Sequence, residues 1–179
     1  FRIIMASRWP LRSPDAKQPS NPPDPSIVLK TMPMRTPNIQ AYFRRYAWAY
    51  EIVEPHIWRS SFATDRDVEF DLYILLGDHL LHFAVSPFVA QPLPACQLRL
   101  YDGLLKLNQQ MQNAWFALDD EGDINLLASL PRRGCSYPLF AATLDGLTGY
   151  TNLLAHDAAR LAREPNFHTP LIPTTLAAG

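Results

Sequence analysis

A short hairpin set between two helical stretches constrains this chain more than any other feature. Residues 114–134 read AWFALDDEGDINLLASLPRRG. Two apolar runs flank an acidic turn, and the Pro131 to Gly134 stretch forces an abrupt exit. PACQLRLYDGLLKLNQQM stands before it and YPLFAATLDGLTGYTNLLAHDAARLA after it, both with apolar residues at helical spacing. The unit is therefore αββα. Apolar stripes of this kind are buried against another layer, and further strands are read in the residues upstream.

Those residues supply them. Ile39, Tyr42, Phe43 and Tyr46 form the stripe of a first helix, with Thr36 as its expected cap and Pro37 at its first position. Four strands are predicted next: Trp48–Val53, Ile57–Ala63, Val68–Leu76 and Leu80–Val85. Their connections are short, which makes the four a meander. Ser86–Leu93 contains prolines and reads as a crossover. The second helix is expected over Pro94–Gln112. It is apolar on several sides, through Leu98, Leu100, Tyr101, Leu104, Leu105, Leu107 and Met111, which predicts a largely buried helix. Strands at Ala114–Leu118 and Asp123–Leu130 and a last helix over Tyr137–Leu161 complete the order α-β-β-β-β-α-β-β-α. The fold class is α+β, with an antiparallel sheet of about six strands packed by helices.

Composition supports one such domain with extensions. Of 179 residues, 47% are hydrophobic and 18% charged, enough to bury a core. Residues 1–37 stand apart as a proline-rich arm, with eight of the 17 prolines and no helix or strand periodicity. The arm holds six basic and two acidic residues, while the whole chain has a formal net charge of −1. Residues 38–162 form the folded domain, and residues 163–179, with Pro165, Pro170 and Pro173, read as a loose, irregular tail. Phe1 is not an initiator, and Met5, Met32 and Met34 are candidate starts.

Catalytic chemistry is not legible in the chain. Asp119-Asp120-Glu121-Gly122-Asp123 is the densest acidic cluster, but a calcium loop counted from Asp119 would place Ile124 where glycine is needed and Leu130 where the bidentate glutamate belongs. A hairpin turn with Gly122 in the left-handed region is the simpler reading. His79 and His82 begin a strand, so their rings point to opposite faces. No Gly-x-Ser-x-Gly elbow and no phosphate-cradling glycine loop occurs. Cys135 beside Arg132 and Arg133 is a candidate for a lowered thiol pKa, with an incidental cysteine as the plainer reading. Cys96 and Cys135 do not make a disulfide framework, and a cytoplasmic setting is expected. The basic pairs Arg44-Arg45 and Arg132-Arg133 are too small for a nucleic-acid footprint. No apolar run reaches membrane-spanning length. The expectation is a non-enzyme with no catalytic, metal or cofactor site.

WAYEIVEPHIWRSSF, HFAVSPFV, LLKLNQQMQNAWFALDDEGDINLLASLP and YPLFAATLDGLTGY together resemble the YbjN domain, whose members look like relatives of the type III secretion chaperone fold. The resemblance spans about residues 38–162 and is most specific over Leu104–Pro131; the arm departs from the family pattern. It implies a non-enzymatic, chaperone-like binding role and frequent dimerisation.

Strand alternation adds a surface to this reading. One face is expected to carry Tyr50, Ile52, Phe70, Leu72, Ile74, Phe83, Val85, Phe116, Leu118, Ile124 and Leu126 beneath the helices. The opposite face would then carry Trp58, Phe62, Tyr73, Leu75, Trp115 and Leu127. These six are the candidate partner-binding residues, because large aromatics are costly to leave wet. Their expected occupant is a protein partner or a twin subunit, making the free protein a homodimer; the alternative is an accessory subunit held in a larger assembly by its arm.

Overall fold

A computed structural model describes residues 36–175 of the chain. The proposed arm falls almost wholly at positions 1–35, outside the described residues.

The first helix, α1, is Ile39–Tyr46. Its cap is Asn38 rather than Thr36: the Asn38 side-chain amide oxygen Oδ1 accepts the Ala41 N–H at 3.0 Å. Strand β1 (Glu51–Glu54) turns through Pro55-His56 into β2 (Ile57–Ala63), followed by β3 (Glu69–Leu76) and β4 (Leu80–Val89). His56 takes the left-handed conformation the tight turn requires, with φ of 71°. Strand β4 runs four residues past the expected end, through Pro87. Its pairing with the neighbouring strand slips between Val85 and Val89, and such an irregularity is where a strand tolerates a residue without an N–H.

Helix α2 is Pro94–Asn108, β5 is Ala114–Leu118, β6 is Ile124–Pro131 and α3 is Tyr137–Leu161. The hairpin between β5 and β6 closes on Gly122 at φ 84°. The Asp119 carboxylate is spent inside that turn, accepting from the N–H groups of Glu121 and Asp123 and from the Asn125 amide.

The six strands form one sheet in the order β1-β2-β3-β4-β6-β5, and every neighbouring pair is antiparallel. The α+β reading and its element order therefore hold. The helices lie on one face of the sheet. Beneath them Leu72, Ile74, Phe83, Val85, Phe116, Ile124 and Leu126 are buried, as expected from alternation. A row of rings crosses this face from Trp48 through Phe62, Phe70 and Phe88 to Phe116, with successive centroids 5.0 to 6.1 Å apart.

The tail is irregular in backbone but closely packed through Thr175. Ile172 is fully buried, and its Cγ2 lies where a Cβ on Gly103 of α2 would sit, only 2.6 Å away. The Thr175 N–H donates to the Asp102 carboxylate at 2.8 Å. Lys106 bridges both, at 2.7 Å to Asp102 and 2.6 Å to the Thr175 hydroxyl. Its ammonium, with the Thr175 backbone N–H, holds the Asp102 carboxyl below the usual carboxylate range.

Candidate functional site

Antiparallel register decides which side chains share the face away from the helices. Glu51 pairs with Arg59, Arg59 with Tyr73, Tyr73 with Ala84, Ala84 with Leu127, and Leu127 with Trp115. One rung therefore crosses all six strands. The next rung, one pleat along, runs Ile57, Leu75, His82, Ser129. Four of the six expected surface residues, Tyr73, Leu75, Leu127 and Trp115, thus lie on one face and close together.

Trp58 and Phe62 do not join them. Their strand partners are Ile74 and Phe70, which places both on the helix-covered side. Trp58 is buried there, and Phe62 stacks between Trp48 and Phe70. The face assignment of these two residues is corrected accordingly. The reason is parity: a shift of one residue in pairing exchanges the two faces of a whole strand.

The rung is charged at one end and apolar at the other. Arg59 pairs with Glu51 at 2.8 Å and with Asp71 at 2.9 Å. These carboxylates, Asp71 foremost, hold the guanidinium firmly in its charged form. These exposed pairs fix the orientation of the β1 end more than they stabilise it. At the far end stands Trp115, on edge strand β5.

Around that edge the apolar surface continues where sequence reasoning expected burial. Leu98 and Leu105 of α2 are 70% and 64% exposed, Leu118 of β5 is 54% exposed and Trp115 is 38% exposed. Helix α2 is not buried on all sides. Its inner face, with Cys96, Leu100, Gly103, Leu104 and Leu107, meets the core, and its outer stripe does not. Between stripe and strand runs an apolar groove of about 250 Å³, lined by Tyr101, Leu104, Leu105, Phe116, Ala117, Leu118 and Ile124. The breadth of the apolar stripe predicts burial, and the structure leaves its outer part uncovered.

Strand β5 has one backbone edge turned away from the sheet, and its centre is occupied. The Asn108 side chain, at the last residue of α2, accepts the Phe116 N–H at 2.7 Å and donates to the Phe116 carbonyl at 3.1 Å. A side-chain amide thus imitates a neighbouring strand and blocks strand addition at that point. What this rim leaves exposed is apolar side chains rather than the backbone at its centre.

Burial pushes the Cys135 thiol pKa up, so the neighbouring arginines do not activate it. Cys96 and Cys135 are both free thiols. Among the described residues no group of three or more His, Cys, Asp or Glu is placed to hold a metal ion, and no helix is long and apolar enough to cross a membrane.

His82, on the open face, offers a pH readout. Burial lowers its pKa below the ordinary 6.5. The native state then binds the proton less readily than the unfolded chain, so the contribution is intact above pH 6.5 and is lost as the pH falls below it. Urea midpoints measured from about pH 7.5 down to about pH 5 should decline, and His82→Gln should flatten that decline. An unchanged slope in the variant would exclude His82 as its source.

No family model and no curated protein matches this chain. Among the solved structures that are similar at low identity, two come from chaperone complexes. One is the Yersinia pestis type III secretion chaperone SycH, crystallised with a stable fragment of YscM2; it is 16% identical, with a TM-score of 0.43 over 63% of this chain and 92% of that one. The other is a chain of the HopA1–SchA chaperone–effector complex, 18% identical, with a TM-score of 0.43 over 62% of this chain and 84% of that one.

Proposed function

We propose that this protein is a non-enzymatic binding module of the chaperone or adaptor type. It docks an apolar segment of a partner protein on the rim formed by α2 and β5, with the open sheet face extending the surface. The observation that carries this reading is the apolar groove between α2 and β5, whose lining residues Leu105 and Leu118 are more than half exposed, with Leu98 exposed on the same helix and Trp115 on the other side of β5. Scattered exposed leucines need no explanation, but a groove flanked by several large apolar groups is a recognition surface. Tyr73, Leu75 and Leu127 continue it across the face. Membership of the YbjN family and a cytoplasmic setting belong to the same proposal, supported by the residues of Leu104–Pro131 and by the free thiols.

The test compares the full chain with the Leu105→Asp, Trp115→Asp double variant. Proteins captured by the wild type from its host are expected to be lost from the variant. The purified partner should bind the variant at least thirtyfold more weakly, about 2 kcal/mol, as at an interface hot spot. Tm should stay unchanged. Light scattering on the same samples separates a foreign partner from a twin subunit: a wild-type dimer that becomes a monomer in the variant assigns the rim to self-association. Equal capture and an equal oligomeric state in both proteins would overturn the proposal.

A further inference from the structure

Elsewhere on the molecule, sharing no residue with the α2–β5 rim, the second half of α3 leaves a cavity of about 350 Å³ over the ends of β3 and β4. Its size falls within the range of small-molecule sites. The sheet contributes Phe70, Phe88 and Val89, the loop before β3 contributes Val68, and α3 contributes the small side chains Ala155 and Ala159, one turn apart. Phe70 and Phe88 are consecutive rings of the row that crosses the sheet, 6.0 Å apart and tilted by only 30°. These stacked rings, with Val68 and Val89 beside them, give the cavity an apolar floor.

The permanently charged side chains of the lining are both arginines, beside the neutral Thr64, Thr151 and Asn152. Arg66, from the loop between β2 and β3, Arg163, just beyond α3, and His156 line the cavity, and no aspartate or glutamate does. Arg163 is held in place by donating to the Ala90 carbonyl at 3.1 Å. The neighbouring acid, Glu164, is engaged by Arg160 at 2.7 Å. Among the described residues neither Arg66 nor Arg163 belongs to an ion pair. Two arginines beside an apolar floor complement a ligand with one anionic head and an apolar body.

We propose that this cavity binds a medium-chain carboxylate, its alkyl chain on Val68, Phe70 and Phe88 and its carboxylate between Arg66 and Arg163. A chain of about eight to ten carbons suits a site of this size.

Isothermal titration of the full chain with decanoate, decanol and decyltrimethylammonium tests the assignment. Decanoate should bind one to one, decanol about tenfold more weakly, and the cation without measurable heat. Arg66→Gln with Arg163→Gln should weaken decanoate about tenfold and leave decanol unchanged. Ala155→Phe, which fills the cavity, should abolish binding of both. Absence of decanoate heat, equal affinity for decanol, or undiminished decanoate binding in the arginine double variant would each overturn the proposal. The arginine variants lie on the exposed rim, so they decide the matter even where Ala155→Phe disturbs packing.

Discussion

Phe140→Ala is expected to cost about 3–5 kcal/mol of folding stability, the range for removing a fully buried phenylalanine from a core. Phe140 sits in the first turn of α3 and has no exposed surface. Its ring meets Phe43 of α1 edge-on at 5.5 Å, Phe83 of β4 at 5.7 Å and Tyr42 at 5.3 Å. One side chain therefore ties both helices to the sheet. Helix α1 has only eight residues, too few to persist without such packing. Its other ties to this region include the Tyr42 hydroxyl, donating to the Cys135 carbonyl at 3.0 Å, the Tyr46 hydroxyl, donating to Asp145, and Arg45 over the Tyr137 ring. A domain of this size has about 5–15 kcal/mol in total, so the variant should lose a large share of it. Urea unfolding measures the effect: the midpoint should fall with little change in slope. A loss below 1 kcal/mol would mean that the α1–α3 junction collapses around the cavity or contributes little to the core.

The second large effect is expected at Asn108. Replacing it by alanine removes both hydrogen bonds to Phe116 and leaves a partly buried N–H and C=O without partners, a cost of about 2 kcal/mol. It also uncovers the centre of an edge strand whose surroundings are apolar. Sedimentation velocity should therefore show concentration-dependent self-association absent from the wild type. Asn108→Asp keeps an acceptor for the Phe116 N–H and loses the donor, so it should fall between the two. If Asn108→Ala stays as stable and as monodisperse as the parent, the amide is incidental and β5 is protected in another way.

The two effects bear on different parts of what the sequence made legible. Phe140 belongs to a stripe that the spacing of α3 announced, and the helix spans Tyr137–Leu161 as expected. Asn108 was not legible. Nothing in QLRLYDGLLKLNQQM distinguishes the asparagine that clamps a strand from the glutamines after it, because the partner is a backbone segment eight residues on. The same holds for the exposed stripe of α2. Leu98 and Leu105 look like core residues until the layer that would cover them is counted. The C-terminal segment covers the helix near Asp102, Gly103 and Lys106 and leaves the leucines outward.

Local chemistry alone determined the elements: the Gly122 turn, the alternation within each strand, the 3.6-residue stripes of the helices and hence the α+β class with its order of six strands and three helices. These depend on contacts a few residues apart, and each leaves a periodic mark. The parity between strands was decided only by the tertiary structure. The face of Trp58 and Phe62 depends on how β2 meets β3 across the Thr64 to Val68 connection, where Ala63 pairs with Glu69. One residue more or less in that pairing would have turned both rings outward, and a pattern with period two carries no mark of which parity the neighbouring strand selects.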